Sequence, residues 1–176
     1  FVGPGVASLS ADCRNGIDCM TTETTCWSSI WQTDGVTEEY LAGHGRADAY
    51  KELKPADVAY YDGCIELDLS KIECMIALPM HPSYAYPIRE LKANAKDLLH
   101  EIETRANEQL SGKVKMDLVS KVRADGSIYV DQGIVAGCSG GTYENLCAVA
   151  DILRGKSCGN GEFKFSVYPD LSLIHI

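Results

Sequence analysis

One short module near the end of the chain constrains the fold more than any other feature. The apolar run at residues 133–137 is typical of a strand, and Cys138-Ser139-Gly140-Gly141 after it predicts a tight turn. Thr142 is expected to cap a helix over residues 143–153, and residues 163–167 alternate like a second strand. Strand, helix and strand in this order predict a parallel pair with a right-handed crossover, and hence an α/β fold.

The remaining sequence predicts two incomplete domains around a proline-rich linker. Helices are expected over residues 10–20, 34–42 and 88–110, strands over 24–31 and 64–69, and a strand pair around Asp125-Gly126. The prolines between residues 78 and 88 interrupt regular structure. We therefore assign residues 1–85 to the end of one domain, 86–132 to a connection, and 133–170 to the start of the next. Residues 171–176 are expected to be a non-native tail.

Charge, hydropathy and cysteine content exclude several classes of protein. The net charge is −9 without a compensating basic cluster, so nucleic acid is not an expected partner. No run approaches the roughly 20 apolar residues that span a bilayer. The eight cysteines contain no Cys-x-x-Cys pair, which predicts a reduced, cytoplasmic protein whose thiols are mostly buried.

Cys138 is the residue best placed for chemistry. It follows a predicted strand and precedes a predicted helix, and ligands of open α/β sheets bind at that edge. Exposed backbone amides there favour a thiolate, which can ligate a metal or act as a nucleophile. The plain alternative is a small residue that fills a tight turn.

Glu23 is the second candidate. It lies in the threonine-rich run 21–25, where a carboxylate could face a cleft or could simply be solvated. Cys19 and Cys26 flank it at no recognised ligand spacing and are interpreted as buried thiols. None of the four histidines has a companion at the spacing of a metal site or catalytic triad.

Several separated motifs occur in the order found in one enzyme family. Gly3-Pro4-Gly5 is followed by Ser8, Met20-Thr21-Thr22-Glu23 follows a predicted helix, and Gly45-Arg46-Ala47-Asp48 comes next. Further motifs are Leu67-Asp68-Leu69-Ser70, the prolines 79, 82 and 87 with Ala85, and residues 137–145 around Cys138. From Phe1 to Val167 the chain resembles the aconitase and isopropylmalate dehydratase superfamily, in particular bacterial aconitase-like hydratases.

The resemblance implies parts of two three-layer α/β/α domains and an iron–sulfur hydro-lyase. Such an enzyme dehydrates and rehydrates a hydroxy-polycarboxylate, such as a citrate-like or isocitrate-like substrate, on a [4Fe–4S] cluster. By position, Cys138 is the first cluster ligand, with Ser139 and Gly140 beside the cofactor, and Glu23 is the active-site glutamate. The other two cysteine ligands are expected beyond Ile176, so the 176 residues alone are expected to lack activity and a stable cluster.

Two departures from the family pattern leave other functions open. Cys19 stands where the family has an asparagine, four residues before the glutamate. Ser139-Gly140 replaces the Thr-Asn that follows the ligand cysteine. The alternatives are a cysteine-nucleophile enzyme that uses Cys138 and a non-catalytic aconitase-like binding protein.

Overall fold

The structure, a computed structural model, describes residues 1–159 and 161–170, which divide into two compact units. The first unit joins Phe1–Glu66 to the segment from Gln132 onward, and the second is Leu67–Asp131. The division into domains at residues 1–85, 86–132 and 133–170 stays a prediction. The expected non-native tail, residues 171–176, lies outside the described residues.

Helices and short strands alternate in the described part of the chain. The helices are α1 (Ala11–Thr21), α2 (Gly35–Gly43), α3 (Ile88–Ala93), α4 (Ala95–Gln109), α5 (Gly137–Gly140) and α6 (Tyr143–Leu153). The strands are β1 (Met75–Ala77), β2 (Ala85–Pro87), β3 (Gln132–Val135) and β4 (Lys164–Val167). Single 3₁₀ turns lie at Pro4–Ser8, Thr22–Thr24, Ala47–Ala49, Leu69–Lys71 and Val119–Lys121.

The parallel strand pair predicted from the sequence is confirmed in the first unit. Strands β3 and β4 run parallel, with Gln132 opposite Lys164 and Val135 opposite Val167. Helix α6 lies between them in sequence, as the crossover requires. The α/β class is therefore confirmed.

A buried ion pair joins the first two helices of this unit. Arg14 of α1 is only 4% exposed, and its guanidinium binds both carboxylate oxygens of Asp34 at 2.9 and 2.7 Å. The same guanidinium donates to the carbonyls of Val6 and Leu9 and to the hydroxyl of Thr37. Because the donors of Arg14 find several acceptors, its charge is tolerated inside the protein.

Both helices begin with a side-chain cap. The Ser10 hydroxyl accepts a hydrogen bond from the Cys13 amide at the start of α1. Asp34 accepts one from the Thr37 amide at the start of α2. Asp34 thus caps α2 and neutralises Arg14 at the same time.

The second unit has an apolar core built on α4. Ala95, Leu99, Ile102 and Ala106 recur every three or four residues and form its buried face. Leu78 and Leu91 complete the buried cluster with Leu99 and Ile102. On the outer side, the Glu103 carboxylate accepts hydrogen bonds from the amides of Leu118 and Val119.

The proline-rich segment is irregular at residues 78–84, as predicted, but residues 85–87 form a strand. Strands β1 and β2 form an antiparallel hairpin, and the Leu78 amide donates to the Tyr84 carbonyl at 2.8 Å. Pro79 and Pro82 lie in the hairpin loop, and Pro87 ends β2. Proline is tolerated in these places because no ladder bond needs its missing N–H.

Two predicted strands do not form. Residues 24–31 leave α1 through a 3₁₀ turn, and Thr25 has a left-handed φ of 63°. Asp18 then holds this segment through side chains, since its carboxylate accepts from the Ser29 hydroxyl and from Trp31 Nε1. Residues 64–68 are exposed and unpaired in the described part of the chain, so their alternating pattern has no sheet to join.

Other expectations are corrected in detail. The helix predicted over residues 88–110 is divided at Asn94 into α3 and α4, and the predicted strand pair around Asp125-Gly126 is a single bridge between Val122 and Ile128. The thiols are not mostly buried, because seven of the eight are exposed and Cys19 is half-buried. Seven of the eight belong to the first unit, whose apolar core is too small to cover them, with Val6 its one buried hydrophobic residue among those described.

No helix among the described residues is long and apolar enough to cross a lipid bilayer.

The ion pair leads to a stability prediction. Asn caps a helix about as well as Asp, so Asp34→Asn removes mainly the negative charge that faces Arg14. We expect the free energy of unfolding to fall by about 3 kcal/mol at neutral pH, because the Arg14 charge is left buried and unpaired. Urea unfolding of the whole protein, followed by fluorescence of Trp31 beside Arg14, measures the change.

The pH dependence supplies a second readout for the same variant. The hydrogen bond from Arg14 lowers the pKa of Asp34 from 3.8 to about 2. The stabilisation is therefore complete above pH 3.8 and is lost as the pH falls through about 2, so the two proteins should converge there. Asp57→Asn, at an exposed position, is the control, and equal stabilities of Asp34→Asn and the parent at pH 7 would refute the role of the pair.

Candidate functional site

Cys138 lies where the sequence places it, directly beyond the carboxyl end of β3. Only Ala136 separates β3 from α5, a single helical turn that contains Cys138, Ser139 and Gly140. The predicted tight turn is thus helical, and Gly137 opens it with a φ of 86°, a left-handed conformation that favours glycine. The Cys138 thiol is exposed and can be reached from solvent.

Gly141 fixes the position of this turn against the end of the sheet. A Cβ atom on Gly141 would lie 2.7 Å from the Tyr168 carbonyl oxygen, and 2.8 Å from both the Asp170 amide nitrogen and the Gly137 carbonyl oxygen. These neighbours are backbone atoms, and the Gly141 carbonyl accepts from the Asp170 amide at 2.9 Å. The cysteine turn is therefore tied to the residues that follow β4.

Helix α1 packs against the cysteine turn. A Cβ atom on Gly16 would lie 3.2 Å from the Ser139 hydroxyl oxygen, so the two backbones approach closely because Gly16 has no side chain. The Asp12 carboxylate accepts from the Glu144 amide at 2.9 Å, and the Ser10 hydroxyl binds the Glu144 carboxylate. These contacts hold α1 against both α5 and the start of α6.

This packing brings Cys19 against Cys138. Cys19 lies three residues after Gly16, on the same face of α1, and its side chain comes within electrostatic reach of that of Cys138. Burial raises the pKa of the Cys19 thiol, and the neighbouring Cys138, Asp170 and Asp18 raise it further. Two thiols therefore share the edge at which the sequence predicts one.

Glu23 lies on the 3₁₀ turn Thr22–Thr24, which continues from the end of α1. Its side chain is exposed, and no hydrogen bond joins it to the cysteine turn in the described part of the chain. The structure thus brings Cys19 next to the turn that contains Cys138, Ser139 and Gly140. Glu23 lies on the turn that follows α1, four residues after Cys19.

The side chains of the candidate site can supply one ligand to a metal cofactor, but not a complete set of ligands. Residues 1–159 and 161–170 contain no group of three or more histidine, cysteine or acidic side chains arranged to hold a metal ion. Cys138 nevertheless offers an accessible sulfur, the donor that iron–sulfur clusters use. Thr142, four residues later, has a buried hydroxyl with no hydrogen-bond partner among the described residues. The exposed Cys138 thiol at the sheet edge can therefore serve as one ligand of a cluster whose other ligands are not among these residues.

Sequence reasoning missed the pairing of Cys19 with Cys138. It interpreted Cys19 as an unrelated buried thiol, although Cys19 departs from an otherwise matching motif. This departure could have revealed the contact, because a residue that replaces a motif residue occupies the same place in the site.

The chain matches the Aconitase family (aconitate hydratase) over residues 1–174. It is 29% identical over 161 residues to the 2,3-dimethylmalate dehydratase large subunit of Eubacterium barkeri, covering 92% of this chain and 30% of that protein. It is 27% identical over 161 residues to the 3-isopropylmalate dehydratase large subunit of Caldicellulosiruptor bescii, with the same coverage. The corresponding subunit of Wolinella succinogenes is 29% identical over 175 residues, 99% of this chain and 32% of that protein.

The chain belongs to the aconitase family, because the match extends over nearly its whole length. The expected aconitase-like α/β fold, represented in part, is confirmed by the same finding. The chain spans about a third of the length of these relatives.

The close packing at Gly141 leads to a second prediction. Gly141→Ala places a methyl group against three backbone atoms that cannot move without shifting the cysteine turn. We expect the free energy of unfolding to fall by about 1–3 kcal/mol, measured by urea unfolding of the whole protein.

Gly140→Ala is the matched control, because a Cβ atom on Gly140 meets nothing within 4 Å. Both substitutions add one methyl group to the same turn. If the two variants are equally stable, Gly141 does not fix the turn.

Proposed function

We propose that the whole protein is an iron–sulfur hydro-lyase that acts on a small hydroxy-polycarboxylate. The observation that carries the proposal is the exposed thiol of Cys138 at the carboxyl end of β3, in a chain of the aconitase family. The named relatives are dehydratases of substituted malates. A hydroxy-dicarboxylate of the malate type is therefore the substrate class that we test first.

Cys138 would provide one thiolate ligand to a [4Fe–4S] cluster, and the two further cysteine ligands that the family resemblance implies would complete it. When bound, such a cluster supplies a Lewis-acidic iron for the hydroxyl and carboxylate of the substrate. Ser139 and Gly140 would lie beside the cofactor, next to the ligand. The Asn145 amide donates to the Ser139 carbonyl at 2.8 Å and so helps to hold this turn in place.

Glu23 holds and moves a proton. In a dehydration, a hydroxyl group leaves the substrate as water and a proton leaves the adjacent carbon, so the site needs an acid–base group. The Glu23 carboxylate is exposed and follows directly from the helix that packs on the cysteine turn. Its carboxylate oxygen is the proton carrier that we assign.

A reducing, cytoplasmic location agrees with the thiol chemistry. All eight cysteines are free, and a cluster ligand must be available as a thiolate. We expect the 176 residues alone to be inactive, because one thiolate cannot hold a cubane cluster.

Replacing Cys138 tests the ligand assignment. We expect Cys138→Ser in the whole protein, purified without oxygen, to lose most of its iron and sulfide and its visible absorption, since a ligand sulfur is removed. Cys158→Ser, another exposed cysteine of the same unit, is the control and should keep both.

The alternatives give different outcomes in the same experiment. A cysteine-nucleophile enzyme would be free of iron and would lose turnover of an acyl substrate in Cys138→Ser. A non-catalytic relative would lack iron and turnover in the parent protein as well. Either result rejects the proposed hydro-lyase.

Replacing Glu23 separates catalysis from cofactor binding. We expect Glu23→Gln to lower kcat for malate-type substrates by about 100-fold or more while the iron content is unchanged, because proton transfer by a positioned side chain contributes about 10²–10⁴-fold. Glu39→Gln, at an exposed position on α2, should match the parent. A Glu23→Gln variant with full kcat would remove Glu23 from the mechanism.

A further inference from the structure

The structure brings two thiols together at a site where one was expected. Cys138 is exposed on α5, and Cys19 is half-buried near the end of α1. The Cys138 thiol is among the neighbours that raise the pKa of the Cys19 thiol, so the two side chains lie within electrostatic reach of each other. A disulfide requires Cα atoms about 4.4–6.8 Å apart, so the approach of the two backbones decides whether these thiols can be joined.

The approach of the two backbones supports this geometry independently. Gly16 and Ser139 are separated by so little space that a Cβ atom on Gly16 would lie 4.0 Å from the Ser139 Cα atom. Cys19 is one helical turn after Gly16, and Cys138 is next to Ser139 in sequence. Helix α1 is also held against the start of α6, directly after the cysteine turn, where Asp12 accepts from the Glu144 amide.

We propose that Cys19 and Cys138 form a reversible disulfide that closes the site when no cofactor occupies it. The bond would remove Cys138 as a ligand and protect its sulfur from further oxidation. The consequence for the cofactor rests on the proposed function, whereas the disulfide itself needs only the two thiols.

The chemistry requires a two-electron oxidant, and a small disulfide such as glutathione disulfide supplies it. The exposed Cys138 thiolate attacks one sulfur of glutathione disulfide, which forms a mixed disulfide and releases one glutathione thiolate. The Cys19 thiol gives up its proton and attacks the Cys138 sulfur, which forms the Cys19–Cys138 bond and releases the second glutathione. Two protein thiols are oxidised, and one glutathione disulfide is reduced to two glutathione molecules.

The test uses the whole protein after its iron has been removed with a chelator. The protein is equilibrated with graded ratios of glutathione and glutathione disulfide, free thiols are alkylated, and peptides are analysed by mass spectrometry without reduction. We expect a linked Cys19–Cys138 peptide that appears as the ratio becomes oxidising and disappears on reduction.

Matched variants identify the pair. Cys19→Ser should lose the linked peptide completely and accumulate glutathione on Cys138, whereas Cys13→Ser, an exposed position on the same helix, should form the link as the parent does. Circular dichroism of each variant establishes that the helices are retained. A folded parent that carries glutathione on Cys138 without the link would overturn the inference.

Reconstitution with iron and sulfide separates this inference from the proposed function. If the reduced parent takes up a cluster but never forms the link, the disulfide is wrong and the hydro-lyase stands. If the link forms but the reduced parent takes up no iron, the disulfide stands and the hydro-lyase is wrong.

Discussion

The buried guanidinium of Arg14 determines how the first unit is assembled. It binds Asp34 at the start of α2 and the carbonyls of Val6 and Leu9 before α1, so one side chain connects three segments. The described residues of this unit bury few hydrophobic side chains, and the polar centre therefore takes the place that an apolar core usually has. The position of α1, and with it that of Cys19 and Glu23, depends on this arrangement.

The candidate site follows from the way in which α1 meets the end of the parallel strand pair. Gly16 allows the helix to approach Ser139, and Gly141 allows the cysteine turn to approach the residues after β4. At Gly141 a side chain would occupy the space of neighbouring backbone atoms, and at Gly16 it would press on the Ser139 hydroxyl group. The result is a thiol-bearing turn held from two directions and open to solvent at Cys138.

The features that could be predicted from the sequence are those that depend on a local pattern of residues. The parallel pair β3 and β4 and the position of Cys138 after β3 depend on residues close together in the chain. The strands expected at residues 24–31 and 64–69 failed because a strand requires a partner, and Asp18 binds the first of these segments instead. Arg14 and the Cys19–Cys138 contact were not predicted, since both join residues of different elements that only the fold brings together.

The proposed function requires an iron–sulfur cluster at this sheet edge. The most direct measurement is the iron and acid-labile sulfide content of the whole protein purified without oxygen. We predict about four iron and four sulfide per polypeptide, with a brown colour, as a [4Fe–4S] cluster requires. A colourless, iron-free protein that remains so after anaerobic reconstitution would contradict the account.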